Sequence, residues 1–235
     1  FAKLAIVAFF AYFFAKTQEN ISTMKNIVIS FIFAGIPLVL ILKQPDLSTT
    51  IVTGIIFIAL LFIAGISYKI VITVITIAIP SLIVALTYII QLAKSTDADY
   101  PYQLDRVMAW LYPNDPRWQS KAIQQQNSIM AIGSGQLWGK GLNNAESTSM
   151  LNTNYILEPQ TDFIFAVAGE ELGFIGTAAI ILLLLLIVIE IIMIGRNAKD
   201  LAGNLICCGV AAWIGFQSFI NICVATGLMP NTGVP

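Results

Sequence analysis

The segment Glu158-Pro-Gln-Thr-Asp-Phe-Ile-Phe-Ala-Val-Ala-Gly-Glu-Glu-Leu-Gly-Phe174 sets an acidic and polar cluster directly against an apolar run. An aspartate at such a junction, Asp162, sits where a lipid headgroup would meet protein. An ionised carboxylate there can accept a proton as a general base. The chain contains no histidine, which excludes imidazole as base, metal ligand or near-neutral pH switch. Acid–base work therefore falls to carboxylates, lysine or tyrosine. Cys207, Cys208 and Cys223 lie in apolar segments, with no spacing of a metal site or disulfide framework.

Positioning such a residue falls to elements that live in lipid. The 235 residues are 57% hydrophobic and only 11% charged, with a mean hydropathy of +0.83. A soluble domain of this size cannot hide so much apolar surface, so the bilayer is part of its solvent. A formal net charge of -1 gives no global basic field for nucleic acid. Neither end has the character of a natural terminus: Phe1 begins inside an apolar run without a basic leader, and Pro235 stops in a turn-like stretch. The expectation is a piece of a longer membrane protein.

Crossing a hydrocarbon layer of about 30 Å takes about 20 mostly apolar residues. Six spans are expected, at 1–15, 26–42, 48–66, 70–90, 164–194 and 203–227. Lys16, Lys25, Lys69, Arg196 and Lys199 fall in the short connections after the first, third and fifth spans. The positive-inside rule makes those connections cytoplasmic. The connection 43–47, the long segment 91–163 and the C-terminal end then face outward. Gly169-Glu-Glu-Leu-Gly173 interrupts the fifth apolar run, so 162–170 is expected as a half-buried helix before the span proper. Within 91–163, residues 104–110 and 122–132 mix apolar and polar side chains as short interfacial helices do. Trp110, Tyr112 and Trp118 suit headgroup-level anchors. Gly133-Ser-Gly-Gln-Leu-Trp-Gly-Lys-Gly141 reads as a tight turn rather than a phosphate cradle, since it lacks the lysine-serine ending of a P-loop.

Topology gathers Lys3, Asp46, Arg106, Lys140, Glu158 and Asp162 on the outward side. A mixed set of charges at one face can hold an anionic headgroup and still keep a carboxylate base. Plainer roles stand beside this one. Asp162 and Asp46 both precede apolar helices, where helix-start carboxylates are stabilised by free backbone N–H groups. Lys3 suits snorkelling to the interface. Capping also keeps a carboxylate ionised, so it does not compete with a role as base.

Taken in order, Phe1-Ala-Lys-Leu, Gln44-Pro-Asp-Leu-Ser-Thr, Gly133-Ser-Gly-Gln-Leu-Trp-Gly-Lys-Gly-Leu142, Glu158-Pro-Gln-Thr-Asp-Phe-Ile-Phe-Ala, Glu170-Glu-Leu-Gly-Phe174 and Thr232-Gly-Val-Pro235 resemble the SEDS family of bacterial shape, elongation, division and sporulation proteins. The resemblance runs from end to end of the chain. It implies an all-α polytopic transmembrane bundle, matching the family's fourth through ninth spans. Residues 1–235 would form one integral membrane domain, with 91–163 as a large extracellular loop carrying short interfacial helices. Ser48 and Gln160 depart from the glycine and histidine common at those family positions, as tolerated variation.

The resemblance further implies a polymerase of peptidoglycan glycan strands at the outer face of the bacterial cytoplasmic membrane. It would transfer between lipid II molecules with inversion, beside a class B penicillin-binding protein that cross-links the product. The family's catalytic aspartate falls on Asp162, its Phe-Ala-Lys lysine on Lys3 and its Gln-Pro-Asp aspartate on Asp46. Substrate-binding candidates are Lys3, Asp46, Arg106, Lys140, Glu158, Gln160 and Thr161. A divalent cation, Mg or Mn, would suit the leaving diphosphate. Two other classes stand beside this one: a lipid II transporter, and a membrane scaffold for the penicillin-binding protein. One-sided placement of the polar residues favours the enzyme over a transport route, which should carry some at mid-depth.

Overall fold

A long apolar segment surrounded by lipid has no water to satisfy its N–H and C=O groups, so it must bond them within itself as helix. The computed structural model describes residues 2–21, 23–43, 47–67, 69–70, 72–73, 76, 80, 84, 87, 102–142 and 161–231. Among them the ordered elements are helical: α1 (Ala2–Lys16), α2 (Met24–Lys43), α3 (Leu47–Ile63), α4 (Tyr102–Leu111), α5 (Gln119–Ser134), α6 (Ile164–Arg196) and α7 (Leu201–Ala225), with a 3₁₀ turn at Gln18–Asn20. Three of these, α2, α6 and α7, are long and apolar enough to cross a membrane. The apolar α1 and α3 are shorter, at 15 and 17 residues. The expected span 70–90 lies largely outside the described residues. The interfacial helices expected at 104–110 and 122–132 are α4 and α5, each slightly longer than its sequence signal.

Two compact units make up the chain. The first comprises residues 1–40, 53–101 and 191–212, and its core is aromatic. Phe10 and Phe14 of α1 are buried, and the Phe10 ring meets Phe57 of α3 at 4.9 Å between centroids. Phe31 of α2 meets the same Phe57 edge-on at 5.3 Å, an arrangement aromatic quadrupoles favour. Gly209 of α7 lets Val7 and Leu60 come close, because any side chain at 209 would meet theirs.

The second unit comprises 41–52, 102–190 and 213–235. Its main element is α6, which is not one straight rod. Gly173 has φ 66° and ψ −166°, so the helix ends before it and restarts after it. Residues 174–196 alone would reach about 34 Å, enough to cross the hydrocarbon layer. Residues 164–172 form a separate short arm. Ile164, Phe165 and Ala168 of the arm line the same cavity of about 220 Å³ as Ile180 and Leu184 of the span. In an unbroken helix Ile164 and Leu184 would lie about 30 Å apart. The arm therefore folds back alongside the span as a helical hairpin with Gly173 at its tip.

Candidate functional site

The hairpin tip leaves two helix ends facing one another, and each end has backbone groups without intrahelical partners. The glycine-rich turn after α5 satisfies both. Lys140 N–H donates to the Glu170 carbonyl at 2.9 Å and Gly141 N–H to the Glu171 carbonyl at 3.0 Å, which completes the arm's last turn. From the other side, Phe174 N–H donates to the Gln136 carbonyl at 2.8 Å and Ile175 N–H to the Leu137 carbonyl at 3.2 Å, which completes the first turn of the span. Backbone meets backbone here with no room for side chains. A Cβ at Gly139 would strike the Glu171 carbonyl, and one at Gly173 would strike the Gly139 nitrogen. Both glycines also hold positive φ, 78° and 66°, where other residues are strained.

One ion pair runs through the same joint. Lys140 Nζ lies 2.8 Å from Glu170 Oε1, with the Glu170 side chain only 1% exposed and that of Lys140 20%. Burying a carboxylate is costly unless a partner compensates its charge, and Lys140 supplies that partner. The expected turn at 133–141 is present from Gly135 onward, residues 133–134 closing α5, and it caps a broken helix. Lys140, expected among the substrate-binding residues, contacts the protein's own Glu170.

At the opposite end of the arm stand Thr161 and Asp162, the first exposed and the second half-buried. Phe163, 1% exposed, anchors the turn into the core, and its carbonyl accepts from Ala166 N–H at 2.9 Å to open the helix. Asn221 of α7 reaches this turn: its Nδ2 donates to the Asp162 carbonyl at 3.1 Å and to the Thr161 carbonyl at 3.5 Å. Asn221 is 7% exposed and also lines the 220 Å³ cavity, together with Gln217 and Ser218. A second cavity of about 320 Å³ continues between α6 and α7, sharing Leu184, Ser218 and Ile222 with the first and otherwise lined by apolar residues and Gly215. Asp162 thus stands next to a groove with a polar end and a long apolar body.

The loop helices hold the end of α7. Its last carbonyls and those just beyond accept side-chain hydrogen bonds from α4 and α5: Gln125 Nε2 to Val224 (2.8 Å) and Met229 (2.6 Å), Ser128 Oγ to Ala225 (2.9 Å), and Trp110 Nε1 to Gly227 (2.8 Å). Arg106 Nη1 reaches the Asn231 carbonyl at 3.5 Å, so this candidate lies beside the segment leading to Thr232-Gly-Val-Pro235. Lys121 bonds Asp105 and ties α5 to α4. Trp118, expected as a headgroup anchor, is instead 5% exposed, with the Lys121 ammonium 6.0 Å from its ring centre. Asp115 belongs to the exposed turn between these helices. Hydrogen bonding from the Arg117 side chain holds its carboxyl below the usual range.

Lys3 sits half-buried in the first turn of α1, in the other unit. Asp46, Glu158 and Gln160 lie outside the described residues. Among the described residues no three Asp, Glu or Cys side chains come together as a metal site. Sequence reasoning passed over Asn221 and Gln217. The signal that marks them is an amide side chain inside an apolar span, which is expensive unless bonded or lining a cavity.

Fold and site define a polytopic helical membrane protein with a helical hairpin broken at Gly173 and preceded by an aspartate. The chain belongs to the FtsW/RodA/SpoVE family of cell cycle proteins, whose pattern it matches over residues 1–235. It is 37% identical over 83% of its length to a probable peptidoglycan glycosyltransferase FtsW of Nitrosomonas europaea, covering 47% of that protein. To the stage V sporulation protein E of Bacillus subtilis it is 35% identical over all of its length, covering 60% of the relative. A solved structure concerning the coordination of polymerization and crosslinking by a peptidoglycan synthase complex shares its fold. The TM-score is 0.65 at 22% identity, over 94% of this chain and 58% of the other. The chain spans about half to three-fifths of the length of these relatives. It is an integral membrane protein of a bacterial family.

Proposed function

We propose that this chain carries the catalytic part of a peptidoglycan glycan-strand polymerase acting on lipid II at the outer face of the cytoplasmic membrane. The observation that carries this reading is Asp162, held at the start of a re-entrant helix beside a groove that is polar at one end and apolar along its body. Such a groove suits a polyprenyl chain, and its polar end suits the headgroup. The family relationship supplies the substrate class.

The Asp162 carboxylate accepts the proton of the acceptor sugar 4-hydroxyl. That oxygen attacks the anomeric carbon of the donor from the face opposite the diphosphate. The new C–O bond forms as the bond to the diphosphate oxygen breaks, with inversion, and undecaprenyl diphosphate leaves with the electron pair. General-base assistance is worth about 10²–10⁴-fold. Positive charge facing the leaving group lowers the barrier further. Arg106 and Lys3 are the proposed sources, Lys3 on the family resemblance alone. Lys140 contributes less directly, because Glu170 balances its charge. Asp46, Glu158, Gln160 and Thr161 complete the proposed headgroup contacts, and a class B penicillin-binding protein is the proposed partner.

A transport route would distribute polar groups along its whole length. Gln217, Ser218 and Asn221 line a single cavity toward the Ala225 end of α7, which also reaches Leu184 near the middle of the α6 span. The family relationship, rather than the placement of these side chains, favours the enzyme. Glycan polymerisation from purified lipid II tests the reading, using the full protein with its partner and comparing wild type with Asp162→Ala at equal complex formation. Product from wild type alone is the expected outcome, and equal product from both removes Asp162 as base. Chelation with EDTA followed by Mg or Mn add-back, in the same assay, tests the proposed cation.

A further inference from the structure

We infer that Asn221 is a positioning residue for this reaction: its amide fixes the turn that carries Asp162 and so sets where the carboxylate stands relative to the groove. The inference rests on the polymerase reading above and adds to it a residue on a different helix.

A base at the start of a short arm has two points of support, and the structure shows both. The far end of the arm is fixed at Gly173 by the glycine-rich turn and the Lys140–Glu170 pair. The near end is a turn, where φ and ψ are less constrained than inside a helix. There Asn221 spans two successive carbonyls, those of Thr161 and Asp162. Its position on α7 matters as much as its chemistry. The last turn of α7 is itself held by Gln125 and Ser128, so the amide projects from a fixed support. Asn221 is also buried against the cavity that Gln217 and Ser218 line, where a displaced turn would move the carboxylate relative to anything in the groove. Displacement of a reacting group by about 1 Å costs on the order of 10²-fold in rate.

A packing role and a positioning role differ in what they change. Loss of packing lowers the amount of folded protein, whereas loss of position lowers kcat at unchanged folding and substrate binding. A carboxylate introduced at 221 adds a further signature. A negative charge next to the Asp162 turn disfavours ionisation of the base, so the acid limb of the rate profile moves to higher pH.

The experiment measures lipid II polymerisation by the full protein with its partner for wild type, Asp162→Ala, Asn221→Ala, Asn221→Ser and Asn221→Asp. Yield and monodispersity are followed alongside. The expected result is a silent Asp162→Ala, with kcat lowered about 10- to 100-fold in Asn221→Ala. KM should change by less than kcat, since the apolar body of the groove is retained. Asn221→Asp should shift the acid limb alkaline by about one unit. Asn221→Ser, smaller and still polar, keeps the test open where alanine reduces yield. Wild-type kcat in Asn221→Ala or Asn221→Ser overturns the inference, as does an unmoved acid limb in Asn221→Asp. An active Asp162→Ala overturns the polymerase reading instead, so the two failures are told apart.

Discussion

The two halves of α6 face opposite demands. Its span, from Phe174 onward, is apolar on nearly every face, and Leu182, Leu183, Leu185 and Leu186 are all exposed, as side chains that face lipid must be. Its arm, from Ile164 to Leu172, instead buries Ala166, Gly169 and Glu170. One half is held by its solvent, through bulk hydrophobicity that many side chains could supply. The other is held by particular atoms: two backbone hydrogen bonds to its last carbonyls, one ion pair and glycines at a joint without space. Interchangeable residues make the membrane anchor, and irreplaceable ones make the hairpin joint.

The sharpest way to break this contrast is at the tip. Gly173→Ala forces a Cβ into the Gly139 backbone at a φ of 66°. Strain at such a site costs about 1–3 kcal/mol before any clash is counted. The expected outcome is loss of folded protein, read as a fall in detergent-solubilised monodisperse yield. Next comes the ion pair. Removing one partner of a buried pair costs about 3–5 kcal/mol, the lower part of that range applying here because Lys140 is partly exposed. Glu170→Gln and Lys140→Met should each lower the thermal midpoint clearly, while the double exchange to Met at both positions should recover much of the loss. Equal midpoints for all variants would show that the pair adds nothing to the joint. The smallest effect belongs to the lipid face: Leu182→Ala should change the midpoint little, since substitutions away from packed features stay within about ±0.5 kcal/mol. A large effect there would mean that this face packs against protein.

The same contrast explains what could be read in advance. Hydropathy marked α2, α6 and α7 within a few residues, because lipid imposes helix on any long apolar run. Mixed patterning marked α4 and α5, and the interruption at Gly169–Gly173 marked a break in α6. The direction of the chain after the break was not legible, since a glycine permits a positive φ without declaring it. The capping of that break by 136–141 depends on backbone groups, which carry no residue-type signal. The Glu170 partner of Lys140 was not legible, because charge alone does not say which carboxylate a lysine meets. Trp118 seemed suited to the interface because its type fits both water's edge and a packed core. Asn221 was the avoidable omission, an amide within an apolar helix.

The hold of the loop helices on the end of α7 also orders events during synthesis. Gln125 meets the Val224 carbonyl across 99 residues of chain. At about 5–20 residues per second, α5 emerges about 5–20 s before its partner exists. Through that interval the buried faces of α4 and α5 have nothing from α7 to pack on. α7 is therefore the element that completes the packing of α4 and α5, and an arrest between residues 134 and 201 should leave those two helices open to proteases.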